Sequence, residues 1–272
     1  MLRRWCIPMA GLALVAGALA AAAPAAAGTR PPMAGLARHA VHPARHTIHL
    51  IRPGMFGTAP GARGRHRVAA ESQNWSGYAA HGKKYTKISS SWVQPTAHCT
   101  SARTFSSFWV GLDGYSSKTV EQTGSEADCS GGSPRYFGWY EMFPAFPVNF
   151  ANPVHPGDHF TGSVTFNGGS SYTLVLKDTT AGWSHTVHKS LKGAANSSAE
   201  VIAEAPSSDT GQILPLTNFG TIKFSNAAVD GSAMGNANPT KIVMVNAGGR
   251  AKDSVSALSG GQSFSVKWLH ST

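Results

Sequence analysis

Residues 263–268, SFSVKW, alternate strictly between polar and apolar side chains. In an extended chain, Phe264, Val266 and Trp268 lie on one face, while the serines and the lysine lie on the other. This period of two is typical of a β-strand that is buried on one side only. The segment therefore predicts a strand at the edge of a hydrophobic core.

Similar segments recur along the chain, separated by Gly, Asn, Asp, Ser and Pro. They are NWSGYAA, KISSSWV, TFSSFWVGLD, RYFGWYEMF, HFTGSVTF, SYTLVLK, SAEVIAE, FGTIKF and KIVMVN. Apolar runs with helical spacing are absent outside the N-terminus. Ten or more strands at this density predict an all-β domain over residues 71–272, built as two packed antiparallel sheets or as a barrel.

The first 28 residues have the form of a secretory signal peptide. Arg3 and Arg4 precede an apolar run from about residue 7 to residue 23, and small residues at 25–27 offer a cleavage site. A single transmembrane anchor is the alternative, which the short, alanine-rich segment disfavours. The sequence predicts a secreted protein that has no membrane segment once the signal is removed.

A basic segment over residues 29–70 follows the signal and is rich in Pro, Gly, Arg and His. Residues 1–70 hold nine Lys and Arg and no acidic residue, whereas residues 71–272 hold fourteen basic and thirteen acidic residues. The segment lacks the apolar residues for a core of its own, which indicates a propeptide or linker. Because the excess positive charge belongs to this leader, nucleic-acid binding is disfavoured.

Two cysteines remain after the signal is removed, Cys99 and Cys129. In an oxidising compartment we expect them to form a disulfide that closes a loop of about 30 residues. They lack CxxC spacing, and the histidines are scattered, so the sequence predicts no metal site. We interpret the loose pairs His155/His159 and His185/His188 as surface histidines.

Common catalytic signatures are also missing: there is no GxSxG, HExxH or P-loop, and no cysteine in a papain-like setting. Residues 209–211 spell the Asp-Thr-Gly of aspartic proteases. That triplet occurs once and does not follow an apolar strand, whereas a paired-carboxylate site needs two copies.

Polar residues on strands are the remaining candidates for chemistry. The period of two places Glu141 with aromatic residues of RYFGWYEMF, Asp113 with Trp109, and Gln122 on the face opposite Glu121. An acid on an aromatic strand face is either a hydrogen-bonded structural group or a functional group in a cleft. The strand pattern alone leaves both interpretations open.

A set of separated motifs resembles the glutamic peptidases, the eqolisin or G1 family. The motifs NWSGYAA, SSWVQP, FWVGLDG, VEQTG, WYEMFP, SAEVIAE and ILPLTNFGTIKF occur in the family's order over about residues 72–230. The resemblance implies a sandwich of two curved antiparallel sheets and a secreted endopeptidase that is made with a propeptide. It also implies activity at acid pH without metal or cofactor, and it identifies Gln122 and Glu200 as the catalytic dyad.

The same resemblance, together with strand faces, gives five candidates for substrate binding: Trp75, Trp109, Asp113, Trp139 and Glu141. Met142, Phe143 and Val201 depart from residues that are common in the family, so cleavage preference does not carry over. The expected partners are peptide substrates and the chain's own propeptide. We expect a monomer.

Two other functions remain open at this point. A sandwich with exposed aromatics and acids is compatible with a glycosidase that works between Glu141 and Glu200. It is also compatible with a carbohydrate-binding module that has no catalytic activity.

Overall fold

The computed structural model describes residues 69–272, so the predicted signal (1–28) and the predicted leader up to residue 68 lie outside the described residues. The described chain is built from β-strands and one short 3₁₀ turn at Met234–Ala237. The strands are β1 (Ala70–Ser72), β2 (Trp75–His81), β3 (Lys87–Val93), β4 (Ser107–Leu112), β5 (Val120–Ser130), β6 (Ser133–Phe143), β7 (Val148–Asn149), β8 (His159–Gly168), β9 (Ser171–Asp178), β10 (Trp183–Ser190), β11 (Ser198–Glu204), β12 (Thr221–Val229), β13 (Ser232–Ala233), β14 (Thr240–Met244), β15 (Asp253–Val255) and β16 (Phe264–Trp268).

These strands form two large sheets, which confirms the predicted all-β sandwich. The first sheet has the order β1-β14-β2-β11-β4-β5-β6-β7, and the second has the order β10-β9-β8-β3-β12-β16-β15, with β13 paired to β12. Neighbouring strands are antiparallel except for β1 and β14. The two sheets pack face to face around the main hydrophobic core.

Alternation along each strand decides which side chains enter this core. In β16, Phe264 and Val266 are buried, as SFSVKW predicts, and Phe264 stacks on Phe224 of β12. In the first sheet, Val110 and Val201 point into the same space. A smaller cluster that includes three tryptophans covers the other face of the first sheet.

The longest hairpin joins β5 to β6 and sets the register of the candidate residues. Its turn consists of Gly131 and Gly132, with φ of 59° and 82°. Positive φ at both central residues is characteristic of the type I′ turn, which glycine adopts at little cost. Near the turn, Cys129 forms the predicted disulfide with Cys99.

Several strands differ from the sequence prediction. β5 runs for eleven residues, well beyond the VEQTG motif, and β10 (WSHTVHKS) was not predicted. β10 lies at the edge of the second sheet and its side chains are exposed or half-buried. Because an edge strand buries little apolar area, its sequence carries a weak pattern. Within residues 69–272, no helix is long and apolar enough to cross a membrane.

Candidate active site

Four adjacent strands of the first sheet bring the candidate residues into one row. Glu200 of β11 lies opposite Gly111 of β4, Gly111 lies opposite Gln122 of β5, and Gln122 lies opposite Glu141 of β6. Directly opposed residues of antiparallel strands project to the same side. We call this side the Gln122 face, and the side packed against the second sheet the inter-sheet face.

Gly111 separates the two members of the predicted dyad. A methyl group at this position would lie 2.9 Å from Cζ3 of Trp109 and 3.1 Å from Cβ of Gln122. Glycine therefore allows the ring of Trp109 and the side chain of Gln122 to pack closely over this part of the strand. The side chains of Gln122 and Glu200 stand on either side of Gly111, two interstrand spacings or about 10 Å apart at their Cα atoms.

Glu141 fixes the amide of Gln122. Nε2 of Gln122 donates a hydrogen bond of 2.7 Å to Oε2 of Glu141. Oε1 of Gln122 has no hydrogen-bond partner in the described part of the chain. Because an amide nitrogen carries two protons, the second N–H of Gln122 remains to donate elsewhere.

Glu200 is a buried carboxyl group in an unusual environment. Neither of its oxygens has a hydrogen-bond partner of ordinary geometry among residues 69–272. Burial raises the pKa of Glu200 well above its usual range, and the negative charges of Asp113 and Glu121 add to the rise, while the nearby Ser198 hydroxyl opposes it. Burial therefore favours the protonated form of Glu200.

Two tryptophans line the Gln122 face beside the row. The rings of Trp75 and Trp109 meet edge to face, with centroids 5.0 Å apart. Nε1 of Trp109 donates to Oε2 of Glu204 at 2.8 Å, and Nδ2 of Asn74 donates to Oε1 at 3.2 Å. Glu204 therefore helps to hold the aromatic wall in place.

Trp139 of β6 belongs to the same aromatic surface and is buried. Its register partner on β5 is Gly124, which in turn lies opposite Trp109 of β4. The glycine lets the two tryptophans approach each other from either side. Nε1 of Trp139 has no hydrogen-bond partner in the described range, so it is available as a donor.

Asp113 departs from the predicted strand face. β4 ends at Leu112, and Asp113 has a φ of 69°, which turns its side chain out of the alternation. Its carboxylate accepts hydrogen bonds from the backbone N–H of Asn196 at 2.6 Å and of Ser197 at 2.8 Å. The face assignment with Trp109 is thus wrong, because a turn follows the strand earlier than the pattern indicates.

A second acidic row, which the sequence analysis missed, lies four residues along the same face. Glu204 lies opposite Ser107, and Ser107 lies opposite Glu126. Burial raises the pKa of Glu126 well above its usual range, with Asp128 adding to the rise, and burial also raises the pKa of Asp128 to about 7. The period of two could have found Glu126, because it lies four residues after Gln122 on one strand.

Glu121, the residue before Gln122, points to the inter-sheet face. Its strand neighbours are Leu112 and Met142, and neither of its carboxyl oxygens has a hydrogen-bond partner of ordinary geometry in the described chain. Burial raises the pKa of Glu121 to about 8, and the charge of Asp113 adds to the rise. The strand-face prediction for this residue is confirmed.

The positions of these side chains also bear on metal binding and on glycoside hydrolysis. Among residues 69–272, no group of three or more His, Cys, Asp or Glu side chains could hold a metal ion. Glu141 and Glu200 stand three interstrand spacings apart, about 14 Å at their Cα atoms. Glu141 accepts a hydrogen bond from Gln122, whereas the two carboxyl groups of a glycosidase flank the scissile bond, about 5–10 Å apart.

Comparison with known proteins identifies the family. The Peptidase A4 family matches residues 73–268. The chain is 27% identical over 196 residues to Aspergillopepsin-2 of Aspergillus niger, an alignment covering 62% of this chain and 69% of that protein. Scytalido-glutamic peptidase, solved with a transition-state analogue inhibitor, is similar in fold, with a TM-score of 0.63, 23% identity, and coverage of 72% of this chain and 98% of the other. Aspergilloglutamic peptidase from Aspergillus niger gives a TM-score of 0.53 and 25% identity, over 61% of this chain and 99% of the other.

The family match begins two residues before Trp75 and ends with SFSVKW, so it includes all four strands of the row. The protein belongs to the Peptidase A4 family of glutamic peptidases and is a peptide hydrolase.

Proposed function

We propose that the chain is an acid-acting endopeptidase that uses Glu200 and Gln122 as its catalytic pair. The observation that carries the proposal is the row in which the two side chains stand on either side of Gly111. Once this face opens, a water molecule lies between the carboxyl group of Glu200 and the amide of Gln122. Glu200, as a carboxylate, takes a proton from this water as it attacks the scissile carbonyl, and returns the proton to the leaving nitrogen.

Gln122 supplies the other half of the chemistry. Its second N–H donates to the oxyanion that develops on the carbonyl, while its hydrogen bond to Glu141 keeps the amide oriented. One donor of this kind is typically worth about 3 kcal/mol in the transition state. An amide has no protonation change near acid or neutral pH, so its function does not depend on pH.

The buried state of Glu200 has a consequence for activation. A general base must be ionised, yet burial holds the pKa of Glu200 well above its usual range. Access of water to the Gln122 face brings the pKa back toward the ordinary glutamate value of about 4.3. We propose that opening of this face both admits the substrate and ionises the base.

The remaining candidates support this reaction. We propose that Trp75, Trp109 and Trp139 grip an extended peptide, and that Glu141 orients Gln122. Asp113 acts as a positioning residue, because it fixes the backbone of residues 196–197 directly before β11, the strand that carries Glu200.

A substrate panel tests the proposal. The secreted protein, treated at pH 3–4, is incubated with a denatured protein and separately with polysaccharides. We expect cleavage of the protein alone. Cleavage or retention of a polysaccharide would instead support the glycosidase or the carbohydrate-binding module. Substantial activity in Glu200→Gln together with its loss in Glu141→Gln would move the base to β6.

We further propose secretion and self-inhibition by the basic leader. Residues 1–70 contain no acid, while residues 71–272 contain every Asp and Glu of the chain. Arginine side chains of the leader pair with carboxylates of the peptidase domain near neutral pH and lose that attraction as the carboxylates become protonated. If the purified proform kept its leader and stayed inactive for hours at pH 3–4 while the separately produced domain was active, the leader would not be the inhibitor.

A further inference from the structure

Lys252 is a buried cation that the proposed peptidase chemistry does not use. Its side chain is 4% exposed. Burial lowers its pKa to about 8, partly opposed by the charge of Asp253, so the amine remains protonated at acid and neutral pH. Lysine is rarely buried unless its ammonium group is paired.

No partner for this ammonium group is present among residues 69–272. Nζ of Lys252 makes no hydrogen bond there and no ion pair within 4 Å. The neighbouring Asp253 carboxylate accepts instead from the Ser76 hydroxyl and, at 3.2 Å, from the backbone N–H of Met244. The ammonium nitrogen is not itself enclosed, so it is open to a ligand in the neighbouring pocket.

The side chain borders a pocket of about 420 Å³. Besides Lys252, the pocket is lined by the polar side chains of Gln73, Gln212 and Asn246, by apolar residues that include Ile213 and Leu214, and by Ser271 and Thr272. Its volume is in the range that holds a small organic ligand or the end of a peptide. The amides can bind peptide groups, and the apolar wall can contact a side chain.

The backbone around Lys252 is firmly fixed. Its N–H donates to the carbonyl of Met244 at 2.8 Å, and its carbonyl accepts from the N–H groups of Leu269 and His270 at 2.9 and 3.0 Å. The backbone that carries the amine is therefore held in place by two other segments of the chain. Such rigid placement reduces the entropy lost when a ligand binds.

The pocket is separate from the dyad. Gln73 precedes Ala79 of β2 by six residues, and Ala79 lies opposite Glu200. At about 3.3 Å per residue, this corresponds to about 20 Å along the strand direction. A ligand at Lys252 thus does not occupy the space between Glu200 and Gln122.

We propose that the Lys252 pocket binds the carboxylate of a peptide. One lysine supplies a single positive charge, which matches one carboxylate, whereas phosphate sites typically add arginine or a nest of backbone N–H groups. Peptide hydrolysis supplies such ligands, because every cleavage creates a new carboxyl terminus. A glutamate or aspartate side chain offers the same group, and the test distinguishes the two sources.

The test uses full-length Glu200→Gln protein, so that binding does not depend on hydrolysis or on the proposed catalytic pair. Calorimetry at pH 5 compares three probes: Ac-Gly-Ala-Leu with a free carboxyl terminus, the same peptide as its C-terminal amide, and Ac-Gly-Glu-Leu amide. We expect the free acid to bind at least about tenfold more tightly than the first amide. Tight binding of the glutamate peptide would show that the pocket binds a side-chain carboxylate.

Lys252→Met keeps the length of the side chain and removes the charge, so it should abolish the preference for the acid. Lys267→Met, at an exposed lysine of β16, is the matched control and should preserve it. Equal binding of all three probes, or an unchanged preference in Lys252→Met, would overturn the proposal.

A second measurement needs no substitution at Lys252. Reductive methylation of lysines, followed by peptide mapping, should modify Lys252 more slowly when the free-acid peptide is present than when the amide is present. An equal rate with both peptides would also refute the site, even if Lys252→Met failed to fold.

Discussion

The two faces of the first sheet place the same residue types in different roles. On the Gln122 face, Glu200 and Gln122 lie on either side of Gly111 beside tryptophans. On the inter-sheet face, Glu121 is adjacent in sequence to Gln122 but lies among Leu112, Met142 and the main core. Both glutamates are buried, lack a hydrogen-bond partner of ordinary geometry in residues 69–272, and have raised pKa values.

The difference lies in what each glutamate can reach. Glu200 lies on the same side of the sheet as Gln122 and the tryptophans, with Gly111 between the two side chains. Glu121 faces the second sheet, where side chains fill the space. A buried carboxyl group is therefore a candidate for function when other polar and aromatic groups of a possible site share its face.

The largest expected effect contrasts the two glutamates directly. Glu200→Gln retains shape but removes the proton acceptor, so we expect peptide hydrolysis at pH 3–4 to fall by about 10⁴-fold. Glu121→Gln replaces a group that is protonated at this pH by a neutral isostere, and activity should stay within about tenfold of wild type. Initial rates on a denatured protein measure both.

Glu204→Gln is a further control on the Gln122 face, and it should also stay within about tenfold. Its carboxylate holds Trp109 and Asn74, and a glutamine can still accept a hydrogen bond. If Glu121→Gln were as inactive as Glu200→Gln, the proposed difference in function between the two faces would be wrong.

The second prediction concerns stability and pH at Glu121. Its pKa is about 8 in the folded chain against an ordinary 4.5, so between these values the folded chain keeps a proton that the unfolded chain has lost. The free energy of unfolding therefore falls as the pH rises through this window, by about 5 kcal/mol for this group. Glu121→Gln cannot ionise and should not show this part of the loss.

Urea unfolding at pH 5 and at pH 8.5 measures the effect in wild type and in Glu121→Gln. The pKa values of Asp128 and Asp253, each raised to about 7, add losses that are common to both proteins. A wild-type protein that lost no more stability than the variant would show that Glu121 ionises without cost, and hence that water reaches the inter-sheet face.

Strand alternation decides how much of the difference between the two faces can be predicted from the sequence. The period of two placed Gln122 and Glu121 on opposite faces, and the motif resemblance singled out Gln122 and Glu200, which the structure places in one row. Alternation assigns faces within a strand but does not say which strands are neighbours. The place of Gly111 between the pair therefore required the sheet order.

Asp113 and Lys252 show where alternation fails. Asp113 follows the end of β4 with a positive φ, and Lys252 precedes β15 in a bend, so neither obeys a strand period. Their environments are made by residues distant in sequence, Asn196 and Ser197 for Asp113 and Met244, Leu269 and His270 for Lys252. Such contacts depend on tertiary structure and leave no local signal.

The third prediction compares adjacent residues of β5. Gln122→Ala removes the proposed oxyanion donor and should lower kcat by about 100-fold at unchanged fold stability. Thr123→Ala, on the inter-sheet face, removes a 2.7 Å hydrogen bond to the carbonyl of Trp139 and should cost about 1 kcal/mol of stability with little change in kcat. Steady-state kinetics and urea unfolding of both variants give the two readouts; a stability loss without a kcat loss in Gln122→Ala would assign Gln122 a structural role.

The smallest expected effect comes from a glycine on each face. Gly111→Ala places a methyl 2.9 Å from Cζ3 of Trp109 and 3.1 Å from Cβ of Gln122, and since these side chains must shift within the proposed site, kcat should fall by about tenfold. Gly138→Ala, on β6, places a methyl 2.8 Å from Cδ2 of Leu176 and 3.1 Å from the ring of Trp183 in the second sheet. Overpacking there should cost about 1–3 kcal/mol of stability and leave kcat near wild type. If Gly111→Ala instead lost stability and kept its kcat, the close packing around Gly111 would serve the fold alone, and the proposed water would have to lie elsewhere on the Gln122 face.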